Sequence, residues 1–323
     1  MSANPETVLH ERVLLEIRDH IATVTLNRPD KRNALDIGMF DGIVAAAAAI
    51  ADEPDVRAVV LTGAGPAFCA GLDVKSMMTN PAAIERLLMK APGELTNLAQ
   101  RVCWAWRELP VPVIAALKGE VFGGGLQIAL GADIRLAMPD ARLSVMEIRW
   151  GLIPDMGGSR VLKDIMPLDV AKELALTGRI VDGEEAVGLG LATRVCADPL
   201  AAARELAVEI AARSPDAIRA AKYLFDRSAE LNDADGLSLE TSIQMSLIGQ
   251  KNQLEAVRAG MARTAPDFQP ASVDPARASG AASRTAAASE IECLLLMSAL
   301  LLGRHRTLRE EPHHRPGSYT QLR

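Results

Sequence analysis

Three features of this sequence could act together in catalysis: a run of bare glycines, a second glycine loop upstream, and a carboxylate set among apolar residues. The run is Gly123-Gly124-Gly125. It follows the apolar stretch Val113 to Leu117 and leads into Leu126 to Ala132. That pattern predicts a short buried strand, a tight turn and a small helix ended by Gly131. Three consecutive glycines cost backbone entropy and bring nothing to pack. Their use is to let a ligand approach the bare amides at the start of a helix; the plainer alternative is a close strand-to-helix turn. The loop from Gly63 to Asp73 has the same form after the strand Val56 to Thr62, with amides exposed where α/β sheets bind ligands. It is not a dinucleotide fingerprint, because Phe68 occupies the place of the third glycine and Pro66 intrudes.

Glu147 lies within Leu143 to Ile148, where a buried carboxylate needs a partner or a raised pKa. Asp155 is a second acid, in the Pro/Gly frame of Gly151 to Gly158, where aspartate also serves as a turn former. Arg28, Lys31 and Arg32 put three cations in five positions. They fit either a solvated turn or a cradle for phosphates.

The elements that must position these groups can be read in chain order. Val13 to Ile17 and Ile21 to Leu26 are β-rich runs around Arg18-Asp19-His20, a hairpin-like start. Asp36 is an N-cap for an alanine-rich helix ending at Ala51. Residues 81–106 read as helical, with Met77, Met78, Leu87, Leu88 and Met89 as pocket lining, core or a loose lid. A strand from Ile134 to Met138, a helix from Asp164 to Leu176 and a short helix capped by Asp182 follow.

Composition narrows the function classes. The chain has 323 residues with 49% hydrophobic content, enough for one large domain or two modest ones. A net charge of −6 leaves no basic face for general nucleic-acid binding. Cys69, Cys103, Cys196 and Cys293 are far apart, without the spacing of a zinc site or a disulfide framework, and no metal is expected. The N-terminus lacks the apolar core of a signal peptide. The longest apolar run, Cys293 to Gly303, is shorter than the ~20 residues that span a bilayer. The expectation is a reduced cytoplasmic protein with no membrane partner. A Ser-His-Asp hydrolase is disfavoured, since no histidine stands between His20 and His305.

Asn27-Arg28-Pro29 through Leu35, Ala67 to Asp73, Gly119 to Asp133, Glu147 with Gly151 to Gly158, and Thr177-Gly178 with Glu184-Glu185-Ala186 occur in order. With Gly190-Leu191, Ser214-Pro215 and Ala220-Ala221-Lys222, this series resembles the enoyl-CoA hydratase/isomerase (crotonase) family over residues 10–268. The resemblance implies an α/β fold, a crotonase-like spiral of ββα units with a helical C-terminal trimerisation region. It implies a core over 1–198, an oligomerisation region over 199–268, and self-association as a homotrimer or hexamer. Residues 269–323 then form a low-complexity extension, disordered apart from a possible helix at 291–302, and a chain cut after Gln269 is expected to keep its fold.

The same resemblance implies an acyl-CoA thioester as substrate, with coenzyme A part of that substrate and no separate cofactor. By motif position, the backbone N–H groups of Leu72 and Gly124 face the thioester oxygen. Arg28, Lys31 and Arg32 lie near the CoA phosphates, and Ala34, Ala70, Asp73 and Gln127 belong to the substrate-binding set. Hydratases of the family carry two glutamates; here the second is Glu147, while Gln127 stands at the first. Glutamine cannot exchange a proton near neutrality, so Δ3/Δ2 or dienoyl isomerisation with Glu147 as base is preferred to hydration. Asp155 matches a catalytic aspartate of dienoyl-CoA isomerases. The alternatives are hydration of a trans-2-enoyl-CoA, as in fatty acid β-oxidation, with Gln127 holding water, and a non-catalytic relative that binds acyl-CoA or a partner.

Overall fold

The chain begins by laying down antiparallel strands and then winds forward in parallel turns. The structure, a computed structural model, describes residues 7–280, with side chains through residue 278. Strands β1 (Thr7–Leu9), β2 (Val13–Arg18) and β3 (Ile21–Leu26) pair antiparallel. Strands β4 (Ala58–Gly63), β5 (Val113–Leu117), β6 (Glu120–Phe122), β7 (Ile134–Ala137), β8 (Arg142–Ser144) and β9 (Arg194–Val195) follow. The main sheet has the order β1-β2-β3-β4-β5-β7-β9, parallel from β3 onward, while β6 and β8 pair separately. Strands β3, β4, β5 and β7 each lead into a short pairing in this second layer. Leu35 bridges Leu72, Cys69 bridges Val121, and Leu143 bridges Val181. This is the spiral of ββα turns that the resemblance implies.

Alternation along the central strands explains the layering, since successive side chains point to opposite faces. Val59 and Leu61 join the main core, while Ala58 and Val60 face the other way with Ile114, Ala116 and Leu136. That second face is closed by Ala203 and Ala207 on the helix Pro199–Ala211. The first helix of the segment assigned to oligomerisation therefore completes the core sheet. The helices Pro215–Ser228 and Asp233–Leu247 pack through a small cluster of their own, Ala220, Leu239 and Ile243.

The helix Ile37–Ala51 starts where its sequence places it, with the Asp36 carboxylate accepting from the Met39 amide at 2.9 Å. Asp182 likewise caps the helix Gly183–Gly188. Two predicted helices are broken. Residues 81–106 divide into Pro81–Leu88 and Leu98–Glu108, because a new capping box, Asn97 with Gln100, starts the second. The span 164–176 divides into Gly158–Ile165 and Leu168–Thr177 around Met166-Pro167, since Pro167 cannot continue the first helix.

The fold also runs past Gln269. Asn252 exchanges hydrogen bonds with the Gln269 backbone, and the Asp216 carboxylate accepts from Ser272 N and Val273 N at 2.6 and 2.8 Å. Asp216 is 1% exposed. A cut after Gln269 would leave that carboxylate short of two donors, a costly state for a buried charge. The segment 271–280 is thus part of the fold and ends in the helix Pro275–Gly280. The helix expected at 291–302 lies outside the described residues. Among the described residues no helix is long and apolar enough to cross a membrane.

Candidate active site

Two peptide planes define the centre of the site. Leu35 N donates to Gly71 O at 2.8 Å, which fixes the Gly71–Leu72 peptide. Because the peptide is planar and trans, the Leu72 N–H points the opposite way. Gln127 N donates to Gly123 O at 3.0 Å, which turns the Gly124 N–H away from its own helix, Gly124–Leu130. Among the described residues neither the Leu72 nor the Gly124 amide finds an acceptor. Both residues line one cavity of about 310 Å³. The loops touch closely: a Cβ on Gly71 would stand 2.7 Å from Phe122 O and 3.7 Å from Gly124 N. Two amides without acceptors on one cavity are the kind of donors that a carbonyl oxygen could accept from.

The sequence supports this geometry with small residues where backbones meet. Gly123 holds φ at +50°, a conformation side chains disfavour, and a Cβ on Gly125 would lie 2.4 Å from Cys69 O. Asn33, fully buried, ties the upstream loop: its Nδ2 donates to Ala64 O, Ala67 O and Phe68 O, and its Oδ1 accepts from Arg28 N. The Cys69 thiol donates to Asn33 O, and burial pushes its pKa up to about 12. It is a structural thiol.

Glu147 opens the short 3₁₀ turn Glu147–Trp150 and lines the same cavity. Its pKa lies above the ordinary glutamate value, chiefly because burial disfavours the charge. Its own backbone amide and Gln127 oppose that effect, while the Asp155 charge adds to it. Asp155 keeps solvent access at the cavity mouth beside Leu152, yet the walls behind it still raise its pKa. The rest of the lining is apolar, including Phe40, Met77, Leu87, Leu88, Ala99 and Met156. Met78 and Met89, expected with them, point to solvent at 77% and 67% exposure. Lining that sequence reading missed includes Phe40, Ala99, Trp150 and Met156; nothing but their place after folding marks them.

Gln127 is tied to the backbone and to Glu147. It is 2% exposed and absent from the cavity lining. Its Oε1 accepts from Met156 N and Gly158 N at 2.9 and 3.0 Å, and its Nε2 donates to Glu147 Oε1 at 2.6 Å.

A groove of about 600 Å³ adjoins the cavity, sharing Ala70, Leu72 and Trp150 with it. Lys31, Ala34, Asp73 and Lys75 line it. The expected cation cradle divides here. Arg28 borders the groove, but its guanidinium bonds Asp73 at 2.8 Å and Ala34 O at 3.1 Å, and lies 3.6 Å from Asp36. Asp73 is meanwhile the N-cap of Val74–Met78, accepting from Ser76 N. Burial raises its pKa, but the Ser76 amide and Arg28 outweigh this and hold it below the usual carboxylate range. Arg32 is outside the groove lining and pairs with Glu120 at 2.9 Å. Lys31 and Lys75 are the exposed cations of the groove, and neither makes an ion pair among the described residues.

A further cavity of about 390 Å³ lies beneath the helix Pro215–Ser228. Its ammonium group is already consumed, since Lys222 Nζ bonds Asp133, Trp106 O and Val111 O. Among the described residues no His, Cys, Asp and Glu side chains group as a metal site would need.

A sequence profile of the enoyl-CoA hydratase/isomerase family matches residues 16–270. YngF of Bacillus subtilis, named for the same hydratase/isomerase family, is 37% identical over 246 residues, 75% of this chain and 91% of its own. The enoyl-CoA hydratase EchA19 of Mycobacterium tuberculosis is 35% identical over 260 residues, 79% of this chain and 96% of its own. The crystal structure of an enoyl-CoA hydratase from Bacillus anthracis superposes with a TM-score of 0.73 at 29% identity, covering 80% of this chain and 99% of that one.

Proposed function

The chain belongs to the enoyl-CoA hydratase/isomerase family, and on that premise we propose that it shifts the double bond of an enoyl-CoA thioester between the Δ3 and Δ2 positions. In this reading the thioester oxygen accepts from Leu72 N and Gly124 N. Glu147 takes a proton from the carbon next to the carbonyl. The electron pair delocalises onto the carbonyl oxygen and, through the adjacent carbon–carbon double bond, onto the γ carbon; at the oxygen each amide is worth about 10²–10³ in rate. Glu147 then returns the proton to the γ carbon, and the double bond settles in conjugation with the thioester. No other reactant is consumed. The apolar cavity takes the acyl chain, and the adjoining groove takes the CoA portion, with Lys31 and Lys75 available to its phosphates.

The observation that supports isomerisation is the partner of Glu147. Its oxygen bonds an amide, which cannot share in proton transfer, instead of a second carboxyl group. Hydration is the second reading, favoured by the names of the relatives. Since Gln127 is outside the cavity, a hydratase of this geometry would use Asp155, which lines the cavity with Glu147, as its second proton-transfer group. Self-association into a trimer or hexamer through the C-terminal helices is part of the same proposal. Offering a 2-enoyl-CoA and a 3-enoyl-CoA side by side and identifying the products decides between the readings. A 3-hydroxyacyl-CoA as the main product would overturn isomerisation.

A further inference from the structure

We propose that Gln127 is a positioning residue that confines Glu147 to one working oxygen, Oε2; this rests on the reading of Glu147 as the base. The Gln127 carbonyl is held by two main-chain donors, Met156 N and Gly158 N. Flipping the amide would set its NH₂ group against both of them, so the orientation is fixed. Nε2 is therefore locked toward Glu147 Oε1 at 2.6 Å. An amide nitrogen only donates, and a proton on Oε1 would make that oxygen a poorer acceptor for it. When Glu147 carries a proton, Oε2 is therefore the favoured oxygen. That atom is buried and has no hydrogen-bond partner among the described residues. Buried polar atoms are normally paired, and a group awaiting a substrate proton explains this exception.

The clamp also aligns the two halves of the site. A Cβ on Gly123 would lie 3.3 Å from Glu147 Oε1, so the glycine turn packs against the oxygen that Gln127 holds. A Cβ on Gly158 would lie 2.7 Å from Gln127 Oε1, which requires glycine where that turn approaches the amide. Gln127 thus joins the oxyanion turn, the base and the loop bearing Asp155 without touching the cavity.

The test measures kcat and kcat/KM against pH with a 3-enoyl-CoA for wild type, Gln127→Glu, Gln127→Leu and Glu147→Gln. Glu147→Gln examines the base alone: turnover above about a tenth of wild type would overturn the base reading and this proposal with it. Given an inactive Glu147→Gln, the Gln127 variants decide the proposal separately. In Gln127→Glu one carboxylate oxygen still accepts from Met156 N and Gly158 N, so the fold is kept, while the facing carboxyls share one proton. Its profile should gain a basic limb that wild type lacks, as the shared proton leaves and the charges repel. Gln127→Leu removes the donor that favours ionised Glu147. Its acid limb should move to higher pH, with kcat down by up to about 10²-fold and KM little changed. Should the leucine variant fail to fold, Gln127→Glu decides alone. An unmoved pH profile in Gln127→Glu, or a loss in Gln127→Leu expressed only in KM, would overturn the proposal.

Discussion

Around Glu147 the polar groups trace back to main-chain donors; in the adjoining groove one cation is tied to carboxylates and two make no ion pair among the described residues. The Leu72 and Gly124 amides are aimed by fixed peptide planes, and Glu147 is gripped by a glutamine that two amides orient in turn. In the groove, Arg28 is spent on Asp73 and Asp36, while Lys31 and Lys75 extend from exposed positions. Under the proposed function the contrast follows from what each end would do. Stabilising a developing oxyanion demands donors that are already in place. Holding a flexible, highly charged phosphate group needs only mobile cations nearby.

The sharpest way to break this comparison is at Glu147. Glu147→Gln keeps an oxygen to accept from Gln127 Nε2, so the clamp survives while the base is lost. Turnover should fall by about 10²–10⁴ with KM little changed, as measured in steady-state assays with a 3-enoyl-CoA. Next in size is Gly125→Ala. Its methyl group would lie 2.4 Å from Cys69 O and must push the two glycine loops apart. A loss in kcat of about 10²–10³, with the fold intact by circular dichroism, is the expected outcome. A near-normal kcat would show that the loops do not need their present register.

Much of this was legible in the sequence, and the failures share a cause. Backbone-dictated features were readable: Asp36 as a cap, the strand before the triple glycine, and the glycines themselves. Each depends on local steric demands that neighbouring residues declare. What sequence could not declare was how side chains divide their bonds. Arg28 and Lys31 look alike in a loop of cations, yet one is a strut and the other is free, because Asp73 arrives from 45 residues away. Gln127 looked like a substrate group by position, and only the fold brings Met156 N and Gly158 N to its carbonyl. The tail misled for the same reason. Nothing in Gln269 to Val273 suggests structure until Asp216 and Asn252 supply its partners.

The division among the cations gives the third prediction. Arg28→Ala should destabilise the fold by about 1–3 kcal/mol, since it removes the guanidinium that partly buried Asp73 accepts from. Lys31→Ala should leave the unfolding midpoint unchanged and raise KM for the CoA thioester a few-fold, an effect of roughly 0.2–1 kcal/mol that fades with added salt. Denaturant unfolding and KM at two ionic strengths separate the outcomes. A Lys31→Ala variant that unfolds early would erase the distinction between strut and free cation.

The smallest expected effect bears on why the reacting end is so heavily braced. Burial holds the Glu147 pKa above its ordinary value of 4.5, so the folded protein binds this proton more tightly than the unfolded chain does. The stability linked to that proton is fully present below the unfolded pKa and is lost as pH rises through the folded pKa. At neutral pH the ionised carboxylate is therefore a cost to the fold, which the Gln127 clamp reduces without removing. Glu147→Gln deletes the charge and keeps the hydrogen bond, so it should unfold at a higher temperature than wild type at neutral pH. The gain should shrink as the pH is lowered toward the ordinary glutamate range, because wild-type Glu147 is then protonated too. Thermal unfolding of both proteins across that range reads the difference directly. A glutamine variant less stable than wild type at neutral pH would mean that ionised Glu147 is satisfied by its surroundings, and that the unpaired Oε2 is not held at a cost.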